Sequence, residues 1–211
     1  MVQSKVSSGL TTKRASKRDG RVSGYSKGDA KREEILGGVM NALASGRLHN
    51  PSLRAIGQAL EIEPAHILYY FGSREDLMMA VILRWDEVMS GHTISDPPSE
   101  RFLDSYVEAL GKNQTQPGIV HLYLTFAAEA VDPSHAAHHF IQHRFERLRQ
   151  NLSTAIQREQ KCGKMSGAID ADIEARLLIA LADGLQLQSL INPQMDSADH
   201  LRAAIEQLRK T

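Results

Sequence analysis

The sequence is poor in the features that usually announce a chemistry. Its 211 residues include one cysteine, Cys162, so no internal disulfide can form. No run approaches the roughly 18 uninterrupted apolar residues that a transmembrane helix needs, and no apolar signal-peptide core follows the N-terminal charges. A reduced, cytoplasmic protein with no membrane partner is expected. A Gly-rich phosphate loop, a nucleophile elbow and a His-Glu metal motif are all missing, which argues against an enzyme and implies no cofactor. Net charge is missing too, since Lys plus Arg and Asp plus Glu each total 25, and the total alone suggests no nucleic-acid partner. What remains is a chain long enough to bury a core unaided, in one or two domains.

The neutral total hides a polarised distribution. Residues 1–28 carry Lys5, Lys13, Arg14, Lys17, Arg18, Arg21 and Lys27 against the single acid Asp19, and the rest of the chain is correspondingly acidic. The same segment is rich in Ser, Thr and Gly, with Tyr25 as its one aromatic residue, so it buries too little apolar surface to offset its ordering entropy. We read it as a disordered basic arm.

Beyond it, apolar residues recur at helical spacing, as in Ile35, Leu36, Val39, Met40 and Leu43, or Leu77, Val81, Trp85 and Val88. No comparable period-2 run exists, so the fold is expected to be all-α. Pro51, Pro64, Pro98, Pro117 and Pro133 each precede or open such a segment, where a ring without an N–H is tolerated. About nine helices follow, near 29–45, 52–59, 64–70, 73–90, 99–112, 117–130, 133–161, 170–190 and 197–209, within roughly 2 to 4 residues at each end. Asn50 and Asp132 are the expected N-caps ahead of Pro51 and Pro133, and Glu63 is a weaker one ahead of Pro64.

The second and third segments form two short helices across a tight turn, a helix-turn-helix pattern whose second helix can lie in a DNA major groove. Its continuation is more specific. Ile67-Leu68-Tyr69-Tyr70-Phe71-Gly72-Ser73-Arg74-Glu75-Asp76-Leu77 resembles the recognition-helix exit and the start of the fourth helix in the TetR family of transcriptional repressors. Asp183-Gly184-Leu185 is similar to the C-terminal region of many such repressors. Where the family usually places a first tyrosine, this chain has Leu68.

The resemblance implies three parts: the arm over 1–28, a DNA-binding domain over 29–73, and a ligand-binding and dimerisation domain over 74–211. Double-stranded DNA is then the expected partner. The third helix offers Ala65, His66, Tyr69 and Tyr70 to base edges, while Ser52 and Arg54 face phosphates. Residues 29–72 hold four bases and five acids, a poor footprint for a DNA reader. Arg14, Arg18, Arg21 and Lys27 of the arm are expected to supply the missing positive charge.

For the C-terminal part the resemblance implies an inducer cavity. Its candidate lining is Met78, Trp85, Met89, Phe102, Tyr106, Tyr123, Phe126 and Phe140, with His121 and Glu129 as orienting groups. The scarcity of fixed charge there favours a small, mostly apolar inducer. Plain core packing is the competing reading for each of these side chains. His135, His139 and His143 fall on one helical stripe and suggest a metal site, but they span about 12 Å, too far for one ion. No metal ligand is assigned. Leu177, Leu181 and Leu185, with Leu201, Ile205 and Leu208, suit packing against a second copy, because the family forms two-fold dimers that read palindromes. The expectation is a ligand-responsive repressor. A metal-responsive regulator or a helical adaptor without DNA binding are the alternatives, and an enzyme is the weakest of all.

Overall fold

The computed structural model describes residues 27–90 and 98–210. Among the described residues there are nine helices and no strand: α1 Lys27–Ala44, α2 Leu53–Leu60, α3 Pro64–Phe71, α4 Arg74–Ser90, α5 Phe102–Gln114, α6 Pro117–Glu129, α7 His138–Lys161, α8 Ala171–Ile191 and α9 Ser197–Lys210. Arg14, Arg18 and Arg21 lie outside the described residues. Lys27 is the first residue of α1 and so belongs to a helix rather than to the arm.

Two expected caps are displaced. Asn50 adopts a left-handed φ of 43° and does not cap α2. That role falls to Ser52, whose side chain accepts from the Ala55 N–H at 3.2 Å. Asp132 likewise caps no helix, because its Oδ1 accepts from both the backbone N–H and the hydroxyl of Ser134 at 2.8 Å, folding 132–135 into a separate turn. α7 therefore starts five residues later than expected, at His138, and His135 stands outside it. The proposed stripe of three histidines is broken. His135 packs edge-on against Phe126 at 5.5 Å between ring centroids, and His138 bonds through Nδ1 to the Ala130 carbonyl.

The apolar residues gather in two clusters. One joins Ile35, Leu36, Ile56, Ile67 and Phe71 of the first three helices to Leu77, Met78, Val81 and Trp85 of α4 and to Ile119, Leu122 and Phe126 of α6. The other packs α5, α7, α8 and α9 around Leu103, Leu152, Ile156, Leu178, Leu201 and Ile205. α4 and α6 thus belong to the same core as the helix-turn-helix.

The expected dimer stripe is corrected here. Leu185, Leu201 and Ile205 are buried within the chain, and Leu181 and Leu208 pack against the same cluster. Ile173, Leu177, Leu187 and Ile191 are left exposed on α8, where their spacing places them on one face with Ala180 and Gly184 between.

Candidate functional site: a helix-turn-helix head and an aromatic cavity

The head is built by close approach at its turn. A Cβ on Gly57 would lie 2.6 Å from the Ile62 carbonyl oxygen, so α2 can meet the turn only without a side chain there. Glu61 closes α2 in the left-handed region at φ 57°, a conformation that usually goes to glycine. Pro64 then opens α3, whose Ile67 and Phe71 turn inward. Outward from α3 stand Ala65, His66 and Tyr69, the last 80% exposed. Ser52 and Arg54 are exposed at the start of α2, and the Ser52 hydroxyl, though accepting from Ala55, keeps its proton to donate.

Tyr70 differs from its neighbours. It is half-buried against the core, and its ring touches those of His66 at 5.3 Å and Tyr69 at 5.1 Å. Arg74 fastens the head to α4, donating from Nε to the Pro51 carbonyl at 2.8 Å and from Nη2 to the Asn50 side chain.

A cavity of about 150 Å³ lies between α4, α5, α6, α7 and α8. Trp85, Met89, Phe102, Tyr106 and Tyr123 line it, as the sequence suggested. Five other candidates do not. Met78 and Phe126 are fully buried in the first cluster, Phe140 packs on that cluster, and His121 is exposed and meets His49 edge-on at 6.1 Å. Glu129 is also turned away from the cavity, accepting from the Asn50 side chain at 3.5 Å.

The expectation of few fixed charges fails as well, because Asp86, Arg144 and Asp183 are all in the wall. Arg144 clamps Asp86 through two bonds of 2.8 Å and lies 4.5 Å from the Tyr123 ring centre. Asp183 accepts from the Tyr123 hydroxyl at 3.2 Å and forms no ion pair with any described residue. Burial pushes its carboxyl above the usual range, against the lowering effect of the Arg144 charge. Burial also raises the Tyr106 and Tyr123 hydroxyls, with the Asp183 charge adding to both shifts. Two acids and one base leave the wall with one excess negative charge.

Asn113 and Gln186 also stand in the polar part of the lining, with Ser99, Ser105 and Asn151. The sequence held a signal for Asp183 and Gln186: with Ile179 and Ala182 they share a face of α8 that reads apolar on either side, and a carboxylate on such a face needs a reason.

Residues 98–209 match the C-terminal domain of BetI-type transcriptional repressors. Several solved structures are similar in fold. A TetR-family transcriptional regulator from Rhodococcus sp. is 19% identical with a TM-score of 0.68, covering 85% of this chain and 99% of that one. A TetR transcription regulator from Haloarcula marismortui ATCC 43049 is 18% identical with a TM-score of 0.67, over 86% and 97%. A transcriptional regulator from Saccharomonospora viridis, in complex with choline, is 22% identical with a TM-score of 0.61, over 84% and 94%. No curated protein matches the sequence. Among the described residues, no helix is long and apolar enough to cross a membrane.

Proposed function

The chain belongs to the TetR family of transcriptional regulators, and from that premise we propose a dimeric repressor that leaves a palindromic operator when a small organic cation with an apolar body enters the cavity. The observation that carries the ligand class is Asp183, an acid without an ion-pair partner among the described residues, set between Trp85, Tyr106 and Tyr123. A cation in a desolvated site gains from a carboxylate and from aromatic faces together. The apolar walls favour an apolar body on that cation. Choline, held by the Saccharomonospora viridis regulator, has this chemistry.

In this reading residues 29–73 form the reading head and 74–211 the ligand-binding and dimerisation part. Ala65, His66 and Tyr69 face bases, with Tyr70 behind them, and Ser52 and Arg54 face phosphates. The basic arm adds non-specific attraction. A second copy covers Ile173, Leu177, Leu187 and Ile191, since an exposed apolar stripe this long on one helix calls for a partner.

Two measurements test the proposal. Trp85, the single tryptophan, reports binding by its emission as choline or its neutral carbon isostere dimethylbutanol is added. Choline is expected to bind at least about tenfold more tightly, a margin of about 1.4 kcal/mol. A gel shift with the duplex upstream of the protein's own gene is expected to show a complex that choline weakens. Equal affinity for the two compounds would remove the cation, and no complex with that duplex would favour an adaptor without DNA binding.

A further inference from the structure

We infer that Asn113 and Gln186 form a one-way hydrogen-bond relay through which a cation at Asp183 is felt at Trp85, and that this relay couples the cavity to the reading head. The inference rests on the ligand reading above and adds how the site is regulated.

Four links cross the cavity wall. The Trp85 indole N–H on α4 donates to Asn113 Oδ1 on α5 at 3.0 Å. Asn113 Nδ2 donates to Gln186 Oε1 on α8 at 2.9 Å. Gln186 Nε2 donates to Asp183 Oδ1 at 3.4 Å, and that carboxylate also accepts from the Tyr123 hydroxyl on α6. The direction is forced at both ends. An indole nitrogen only donates and an ionised carboxylate only accepts, so each amide between them has a single orientation that satisfies both neighbours. Turning either amide around would set oxygen against oxygen or N–H against N–H.

A chain with a fixed direction is sensitive to its acceptor end. Each bond polarises the next, so whatever draws on the Asp183 oxygens weakens the links behind it. The Gln186 link is the longest of the four and the first to yield. Gln186 is buried, so bulk water does not replace a lost partner. The disturbance arrives at Trp85, in the helix that leaves the reading head at Arg74. The next residue, Asp86, is held to α7 by Arg144. α4 is therefore fastened to the body at two successive residues, and the relay makes one of these fastenings answer to the ligand.

Gln186→Met tests this, because methionine keeps the length of the side chain and can neither donate nor accept a conventional hydrogen bond. In the ligand-free variant the Trp85 emission should differ from wild type, although residue 186 stands two links away. Affinity for the upstream duplex should fall about 5-fold or more, toward the choline-bound level of wild type, and choline should add less than about twofold further. Asn113→Leu breaks the same chain elsewhere and should reproduce the duplex result, which guards against a folding defect in either variant alone. An unchanged emission, together with release by choline as large as in wild type, overturns the relay while leaving the ligand assignment intact. If wild type ignores choline but both variants lose duplex affinity, the ligand assignment fails and the relay stands.

Discussion

Gly118 of α6 lies so close to the Leu43 carbonyl oxygen at the end of α1 that a Cβ on it would stand 2.2 Å away. The same helix turns Ile119, Val120 and Tyr123 into the cavity, while His121 meets His49 and Glu129 meets Asn50 in the loop that leads to α2. α6 is thus pressed between the cavity and the head. Gly118→Ala is expected to destabilise the protein by about 1 to 3 kcal/mol, since backbone must move to admit the methyl group. Gly37→Ala provides the contrast, because nothing lies within 4 Å of its Cβ position in mid-helix. It should stabilise by about 0.5 to 1 kcal/mol. Urea unfolding of the two variants checks both signs, and equal effects would mean that α6 does not sit where it is described.

The helices were legible because their apolar spacing and prolines agreed, and most ends fell within a few residues. The misses came from side chains competing locally for the backbone. Asp132 satisfied Ser134 instead of a helix N-terminus, and Asn50 gave its side chain to Arg74. Within the cavity, periodicity identified the rings but not their direction. Met78 and Trp85 lie two turns apart on α4 and both belong to the first core cluster, yet Met78 is enclosed by it while Trp85 also borders the cavity. The charged lining was hidden for a different reason. Asp86 and Arg144 are 58 positions apart and read singly as surface charges, and only tertiary packing brings them into one ion pair.

At the head, His66 and Tyr70 are expected to behave differently. His66 is exposed on the outward face of α3, so His66→Ala should cost about 1 to 3 kcal/mol of operator affinity and relax preference at one position per half-site. Tyr70 is half-buried against His66 and Tyr69, so Tyr70→Phe should preserve stability and selectivity more fully. Binding measured on a panel of single-base operator variants separates the two. If His66→Ala keeps every preference, α3 does not read bases through this residue.

Residues 29–72 carry more acids than bases, so the arm is expected to supply much of the attraction to phosphate. Deleting residues 1–24 should flatten the dependence of log K on log salt, because fewer phosphates are neutralised and fewer counterions released. A titration with duplex at several salt concentrations measures the slope. An unchanged slope would show that the arm stays clear of DNA.

The exposed face of α8 should decide the oligomeric state. Leu177 is 55% exposed and stands on the same face as Ile173 and Ile191, so Leu177→Glu leaves the monomer's core intact and places a charge in any two-fold contact there. Sedimentation should show a dimer for wild type and a monomer for the variant. A variant that remains dimeric would move the interface elsewhere.

Asp183 also predicts a pH dependence with opposite signs for binding and for stability. Burial is the largest influence on its carboxyl and raises it, opposed by the Arg144 charge and the Tyr123 hydrogen bond. Asp86 and Tyr106 face the same space, and Asp86 is already clamped by Arg144. A cation needs Asp183 ionised, so proton and ligand compete. Choline affinity should fall as pH drops, beginning above the ordinary aspartate value of about 3.9 and approaching tenfold per pH unit below the raised pKa. The ligand-free protein should respond in the other direction at this residue. A carboxyl whose folded pKa is raised holds its proton more tightly folded than unfolded, so its contribution improves as pH falls from the raised value toward the ordinary one and is lost as pH rises through the folded value. Glu146 leaves the choline curve alone but opposes Asp183 in the stability curve: the Arg149 hydrogen bond lowers its folded carboxyl to about 2, so its contribution is lost as pH falls from the ordinary glutamate value toward about 2. Asp183→Asn should abolish the choline dependence and remove the Asp183 part of the stability curve, which the difference between variant and wild type isolates. Trp85 emission against choline concentration across the acid range, paired with thermal unfolding of the ligand-free protein, gives the two curves. If choline affinity stays flat down to the ordinary aspartate range, Asp183 is not the counter-charge.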